Sequence, residues 1–188
     1  MPDRPTQILR ATARLIARNG VRGLRVEEVA AEAGVSTALI YYHFKNRGGL
    51  LRHTLEFINQ RAIRYTDTPG LDADPRAQLT EMLLMELQDD PAVRENSAAW
   101  GELRATAVFD PDLHDDLSGA TRSWAADVAD GIRRAQAAGA VGRDADPQAA
   151  AERLVALVEG LSQQWLSGSL PLTRARELLR GAIDLELR

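Results

Sequence analysis

The chain has 188 residues, 45% of them hydrophobic and 27% charged, with a formal net charge of −4 and no cysteine. That length suits one domain of ordinary size, or a small module joined to a larger one, and it is long enough to bury a core. The lack of cysteine excludes a disulfide scaffold, a thiolate metal site and a cysteine nucleophile; no apolar run approaches a membrane span and no secretory h-region opens the chain, so the expected setting is the cytoplasm, away from membranes.

The expected fold is all-α. Ala, Leu, Arg and Glu dominate, and no sustained two-residue alternation argues for strands. A first helix over 5–19 carries Ile8, Thr12, Leu15 and Ile16 on one face and is closed by Gly20. Two short helices follow over 26–33 and 37–43, then a longer one over 47–65. Residues 66–74 (TDTPGLDAD) are rich in turn formers and read as a loop. Beyond the loop, Asp-Pro is the punctuation: Asp74-Pro75, Asp90-Pro91, Asp110-Pro111 and Asp146-Pro147. Asp accepts hydrogen bonds from the first free N–H groups of a helix, and Pro fits the first helical position, where its missing N–H costs nothing. Helices are therefore expected over 75–88, 91–109, 111–138 (closed by Gly139) and 147–167. Leu170-Pro171 opens a last one over 171–187, which makes about nine.

Charge divides the chain unevenly. Residues 1–53 hold nine Arg or Lys against four acids, a net of +5, so the remainder carries −9. A basic head on an acidic body fits a polyanion-binding module joined to something else, and equally an uneven surface.

Residues 26–47, VEEVAAEAGVSTALIYYHFKNR, are the informative stretch. Two short helices are separated by a tight turn at Gly34, which can take positive φ at little cost. Ala30 is small where the helices must approach. Val29, Ala33, Val35, Ile40 and Phe44 supply an apolar seam, and Ser36 can cap the second helix. This is a helix-turn-helix pattern, whose second helix enters the major groove. Thr37, Tyr41, Tyr42 and His43 are donors of moderate length, and Lys45 and Arg47 follow within reach of phosphates. Thr37, Ala38 and Leu39 are placed for base edges, the last two only for thymine methyls or sugar. The alternative, an aromatic-rich core helix, fails because residues 41–43 are consecutive and cannot all face inward.

In the body, Leu154, Leu157, Val158, Leu161 and Trp165 recur at helical spacing, as do Ala175, Leu178, Leu179, Ala182, Ile183 and Leu185. The second belt is wider than one core-facing stripe needs. Two such helices from each of two chains make a four-helix bundle, so a homodimer through about 147–187 is expected, with completion of the monomer core as the alternative. An effector pocket is expected inside helices five to eight, with Met82, Met85, Glu86, Trp100, Leu103, Arg104, Phe109, Trp124 and Gln163 as candidate lining. Against this, Met and aromatics at helical spacing are more often core, and Glu86 and Arg104 more often solvated. His43, His53 and His114 lack metal-ligand spacing. In the pairs Asp72/Asp74 and Asp144/Asp146 the second member reads as a helix cap. No enzyme, catalytic set, metal or cofactor is therefore expected.

The segment VEEVAAEAGVSTALIYYHFKNRGGLL resembles the DNA-binding domain of the tetracycline-repressor (TetR) family. Its most specific part is Ile40-Tyr41-Tyr42-His43-Phe44-Lys45 followed by Leu50-Leu51. Ile8, Ala11, Leu15 and Ile16 before Gly20 also fit, so the resemblance covers about 6–53. The rest is similar in helix count and in its last two helices, and resembles the betaine-inhibitor-type subgroup over 144–168. The resemblance implies an N-terminal helix-turn-helix domain over 1–46 and a helical effector-binding and dimerisation domain over 47–188. It implies a homodimer that binds a double-stranded DNA operator and releases it when a small-molecule effector occupies the body. It also implies DNA contacts for Ser36, Thr37, Tyr41, Tyr42, His43 and Lys45. Two positions depart from the pattern. Many members place Thr before the second helix, where it caps and touches phosphate; Arg25 stands here, able to reach phosphate but not to cap in the same way. Leu39 is apolar where a polar residue is common. A non-sensing architectural DNA binder, whose body needs no cavity, is the rival reading.

Overall fold

The computed structural model describes residues 3–66 and 74–188, so the expected loop lies almost wholly outside the described residues. Among those residues the chain is helical throughout: α1 (Arg4–Asn19), α2 (Val26–Ala33), α3 (Thr37–Phe44), α4 (Arg47–Thr66), α5 (Pro75–Leu84), α6 (Pro91–Ala107), a 3-10 turn (Pro111–Leu113), α7 (His114–Ala137), α8 (Pro147–Leu166) and α9 (Leu172–Glu186). None of these helices is long and apolar enough to cross a membrane.

The helices start where side chains meet their free N–H groups. Asp3 accepts from Thr6 N at 3.0 Å, Asp90 from Ala92 N at 2.8 Å, Asp110 from Asp112 N at 3.1 Å and Asp146 from Gln148 N at 3.0 Å. Asp74 holds the cap position of α5 without a capping bond, and Pro171 holds that of α9, which begins one residue later than expected.

Two ends fall short of the sequence expectation. Helix α5 stops at Leu84 rather than 88 because its last carbonyls find partners elsewhere. Arg176 of α9 donates from Nη1 to the carbonyls of Leu84 and Leu87 at 3.0 and 2.7 Å, and residues 86 and 87 close tighter i→i+3 turns. Helix α6 stops at Ala107 rather than 109, where Phe109 N bonds back to Thr106 O and Asp110 begins the 3-10 turn.

The chain packs as two compact units, Met1–Arg61 with Glu95–Ala120, and Ala62–Arg94 with Thr121–Arg188. The boundary expected between 46 and 47 falls inside the first unit. In that unit Ile8, Ile16, Ile40, Leu50, Leu51, Ile58 and Leu103 form a closed core. Each such side chain contributes about 1.5–3 kcal/mol by leaving water. Asn96 Nδ2 of α6 donates to the Ile58 carbonyl of α4 at 3.0 Å, a buried polar tie inside the same unit. The second unit has its own core, with Leu79, Leu83, Leu87, Ile132, Leu154, Val158, Leu179 and Ile183.

Candidate nucleic-acid interface and effector residues

Helix α3 is held from beneath and bare on top. Ile40 and Phe44, one turn apart, are 1% and 4% exposed in the core of the first unit, with Val29 and Ala30 of α2 buried in the same core. Gly34 makes the turn before α3 at φ 65° and ψ 40°, a left-handed conformation that glycine takes without steric cost. Ser36 Oγ then accepts Leu39 N at 3.2 Å and caps the helix. We expect Ser36→Ala to lower stability by about 1 kcal/mol, measured by thermal or denaturant unfolding, because that N–H loses its partner.

With the apolar side fixed, Ala38, Tyr41 and Tyr42 share the opposite face at i, i+3 and i+4, and Lys45 follows at the end of the helix, all exposed. Tyr42 is 81% exposed. Thr37 and His43 flank this face half-buried, and the His43 ring lies edge-on to Tyr42 with centroids 5.1 Å apart. Arg25 is exposed at the cap position of α2 and makes no capping bond, as its long side chain requires.

The end of α3 is built by Lys45 together with Asn46 and Gly49, two residues that the sequence reading passed over. Lys45 has φ 65° and ψ −52°, and Asn46 N bonds to Phe44 O at 2.8 Å, which together make the rare strained form of γ-turn. Asn46 Oδ1 accepts Gly49 N at 2.7 Å and so caps α4. Gly49 packs against the end of α3 so closely that a Cβ there would sit 2.1 Å from Phe44 O. The signal was an Asn three residues before a Gly, between two helical patterns.

Arg47, expected on phosphate, donates from Nη2 to Val21 O at 2.5 Å within the head, and the residue remains exposed. Val21 N in turn donates to Glu102 Oε2 at 3.1 Å. The turn between α1 and α2 is thus held by α4 on one side and α6 on the other. Arg14 and Arg18 both pair with Glu32, whose carboxyl their hydrogen bonds hold below the usual range. The positive charge left for an outside anion therefore rests on residues such as Arg25 and Lys45, both exposed.

The nine expected effector residues divide between the two units. In the first, Leu103 is wholly buried core, Trp100 packs beside it, and the Arg104 guanidinium lies 5.5 Å from the Trp100 ring centroid. Phe109 is 79% exposed, because α6 ends two residues before it and its ring meets solvent rather than a pocket. In the second unit Met82 and Trp124 are partly buried against the core, Met85 closes α5, and Gln163 is exposed on α8.

Glu86, also expected in the lining, departs from the solvated alternative. Part of the residue meets solvent, but its carboxyl is withdrawn from water and is pushed up to about 7. Burial is the main cause and the neighbouring Glu159 adds to it, while the hydrogen bond from Tyr65 Oη to Oε2 at 2.8 Å opposes it. The folded chain therefore holds this proton more tightly than an unfolded one, in which the carboxyl titrates near 4.5. The contribution of this group to stability is greatest below pH 4.5 and declines by about 3 kcal/mol as the pH rises from 4.5 to 7. Glu86→Gln, which keeps an acceptor for Tyr65, is expected to raise the melting temperature at pH 8 and leave it unchanged at pH 4.5.

Residues 8–54 match the family model for bacterial regulatory proteins of the tetR family, and residues 75–188 match that for the C-terminal region of BetI-type transcriptional repressors. The chain belongs to the TetR family. TetR-family proteins are DNA-binding transcriptional regulators, and the resemblance read from the head and from 144–168 is borne out over both regions. A TetR-family chain from Rhodococcus sp., described as a transcriptional regulator, is 49% identical over the full length of both chains, with a TM-score of 0.93. The transcriptional regulator BetI of Pseudomonas aeruginosa is 28% identical over 173 residues, which cover 90% of this chain and 83% of that one. A TetR-fold regulator from Saccharomonospora viridis, crystallised with choline, is 29% identical over 96% of this chain and 95% of that one, with a TM-score of 0.79.

Proposed function

We propose that the chain is a homodimeric repressor that holds a double-stranded DNA operator and leaves it when a small molecule enters the body. The observation that carries this reading is the face of Ala38, Tyr41 and Tyr42, exposed on a helix whose other side is the core of the head, with the exposed Lys45 at its end. Two adjacent tyrosines displayed to water on one short helix suit a surface on which a partner docks. Helix length, the capped start and the adjacent lysine suit a major groove and its phosphates.

Dimerisation is supported by α8 and α9. Leu178 and Leu185 of α9 remain 38% and 62% exposed, with Gly181 between them, and Ala156 and Gly160 form a small-residue strip on the exposed side of α8. Such faces suit close helix packing against a second copy. Sensing is supported by the BetI-type repressors that the body resembles and by the choline in one structural neighbour; a purely architectural binder has no use for either.

The mechanism is a two-state hinge. Ligand in the body moves α4, which begins directly after the reader, and takes the two α3 helices out of register with the DNA. The ligand must bind the non-operator state more tightly, or nothing shifts. Scattering with and without a bound effector that shows the same separation of the two heads would overturn the hinge. Lys45→Ala tests the DNA contact. We expect affinity to fall by a similar factor on every sequence, and the slope of log affinity against log salt to drop by about one. An unchanged slope would remove Lys45 from the interface.

A further inference from the structure

One residue in the turn between α1 and α2 is gripped at both ends of its backbone by charged side chains from other helices. Val21 N donates to Glu102 Oε2 of α6 at 3.1 Å, and Val21 O accepts Arg47 Nη2 of α4 at 2.5 Å. Hydrogen bonds to ionised groups are the stronger kind. The residue before it lets the carboxylate approach. Gly20 closes α1 at φ 73°, and a Cβ there would meet Glu102 Oε2 at 2.8 Å. Val21 is 1% exposed in the core of the first unit, so a shift of its backbone is felt by close-packed neighbours.

Helices α4 and α6 are tied again further along. Asn96 Nδ2 of α6 donates to Ile58 O of α4 at 3.0 Å, and Arg61 Nη1 of α4 pairs with Glu95 Oε1 of α6 at 2.7 Å. The rise from Asn96 to Glu102 along α6 is about 9 Å, and that from Arg47 to Ile58 along α4 about 16 Å. The ties therefore close a frame that runs from the turn along α6, across to α4 and back to the turn, all within the first unit. Arg47 alone would leave the turn a pivot on α4. Glu102 closes the frame and stops it turning.

The frame fixes where α2 begins. Leu24 N bonds to Val21 O at 3.2 Å, and Arg25 follows in extended backbone at the cap position, its carbonyl accepting from Glu28 N and Val29 N at 3.1 Å each. Helix α3 follows α2 through the tight turn at Gly34. A displaced turn therefore carries Arg25 and the reader with it.

We propose that Glu102 is a positioning residue for operator recognition: through Val21 N it sets the register in which Arg25 and the exposed face of α3 meet the DNA. The proposal rests on the repressor reading above and goes beyond it. Binding to any duplex rests on phosphate charge and tolerates small displacements, whereas hydrogen bonds to base edges do not. Loss of the tie is expected to cost specific binding and to spare non-specific binding. The charge of Glu102 acts differently. An acid on the head repels phosphates, so removing the charge alone would raise affinity for every duplex alike.

The test uses the full-length wild type, Glu102→Ala and Glu102→Gln with two labelled duplexes, one that the wild type selects from a random pool and an unrelated one of the same length. Both variants lose the charge, and only Glu102→Gln keeps a carbonyl oxygen that can accept Val21 N. The quantity read by fluorescence anisotropy at fixed salt is the ratio of the two affinities. Glu102→Ala is expected to lower that ratio about tenfold, the discrimination carried by one base pair, and Glu102→Gln to keep it within about twofold of the wild type. Hydrogen exchange at the Val21 amide is expected to quicken in Glu102→Ala and not in Glu102→Gln. A ratio unchanged in Glu102→Ala, with both duplexes bound more weakly in proportion, is what a merely structural role gives and would overturn the proposal. A ratio that falls as far in Glu102→Gln would overturn it too. If Glu102→Ala does not fold, Glu102→Met, which keeps the length and helix propensity of the side chain but offers no oxygen, takes its place with the same expectations. A wild type that selects no duplex removes the repressor reading itself; one that selects a duplex while the ratio stays fixed removes only the role of Glu102.

Discussion

Tyr42→Ala is expected to weaken operator binding about tenfold to a hundredfold, the 1–3 kcal/mol of a direct DNA contact, while leaving stability within about 0.5 kcal/mol of the wild type. Tyr42 is 81% exposed and sits opposite Ile40 and Phe44, so its removal opens no cavity. Its ring touches His43 edge-on, a contact of small worth at an exposed site. The two readouts therefore separate: fluorescence anisotropy with labelled operator should fall off, and the unfolding transition should not move. A melting temperature several degrees lower with unchanged DNA affinity would instead make Tyr42 a packing residue.

Gly49→Ala is expected to destabilise the protein by about 3 kcal/mol or more and to abolish operator binding. A Cβ at position 49 would stand 2.1 Å from the carbonyl oxygen of Phe44, the last residue of the reader helix, and that neighbour is backbone rather than the end of a flexible side chain. Relief requires α3 and α4 to separate, which disturbs the Asn46 cap and the γ-turn at Lys45 together. Gly34→Ala is the contrasting case in the same head. Nothing lies within 4 Å of its added methyl group, so its cost is the left-handed backbone alone, about 1–2 kcal/mol, with DNA binding retained. Denaturant unfolding of both variants measures the difference. A Gly49→Ala protein within 1 kcal/mol of wild type would contradict the close approach.

These two glycines show what the sequence reveals and what it hides. Gly34 was legible because a turn between two short amphipathic helices has few alternatives, and the residue pattern around it also located Ile40 and Phe44 inward and the tyrosines outward. Asp90, Asp110 and Asp146 were legible because a helix cap is a local arrangement of three or four residues. Gly49 was not, since its constraint comes from the backbone of the preceding helix. The end of α5 depends on Arg176, 92 residues away from Leu84, and no local signal announces it. Lys45 breaks the local rule outright by taking positive φ. Glu86 and Phe109 were both read as effector lining, with a solvated Glu86 as the competing reading; where α5 and α6 stop withdraws the Glu86 carboxyl from water and leaves Phe109 in it.

Selection of duplexes bound by the purified wild-type protein from a random pool, followed by a count of chains per recovered duplex, tests the central claim most directly. A basic, tyrosine-faced reader presented twice by a symmetric dimer should enrich an inverted repeat, with half-sites about one helical turn or a multiple apart and an even number of chains per duplex. No enrichment at low salt, or one chain on a single unsymmetrical site, would contradict it.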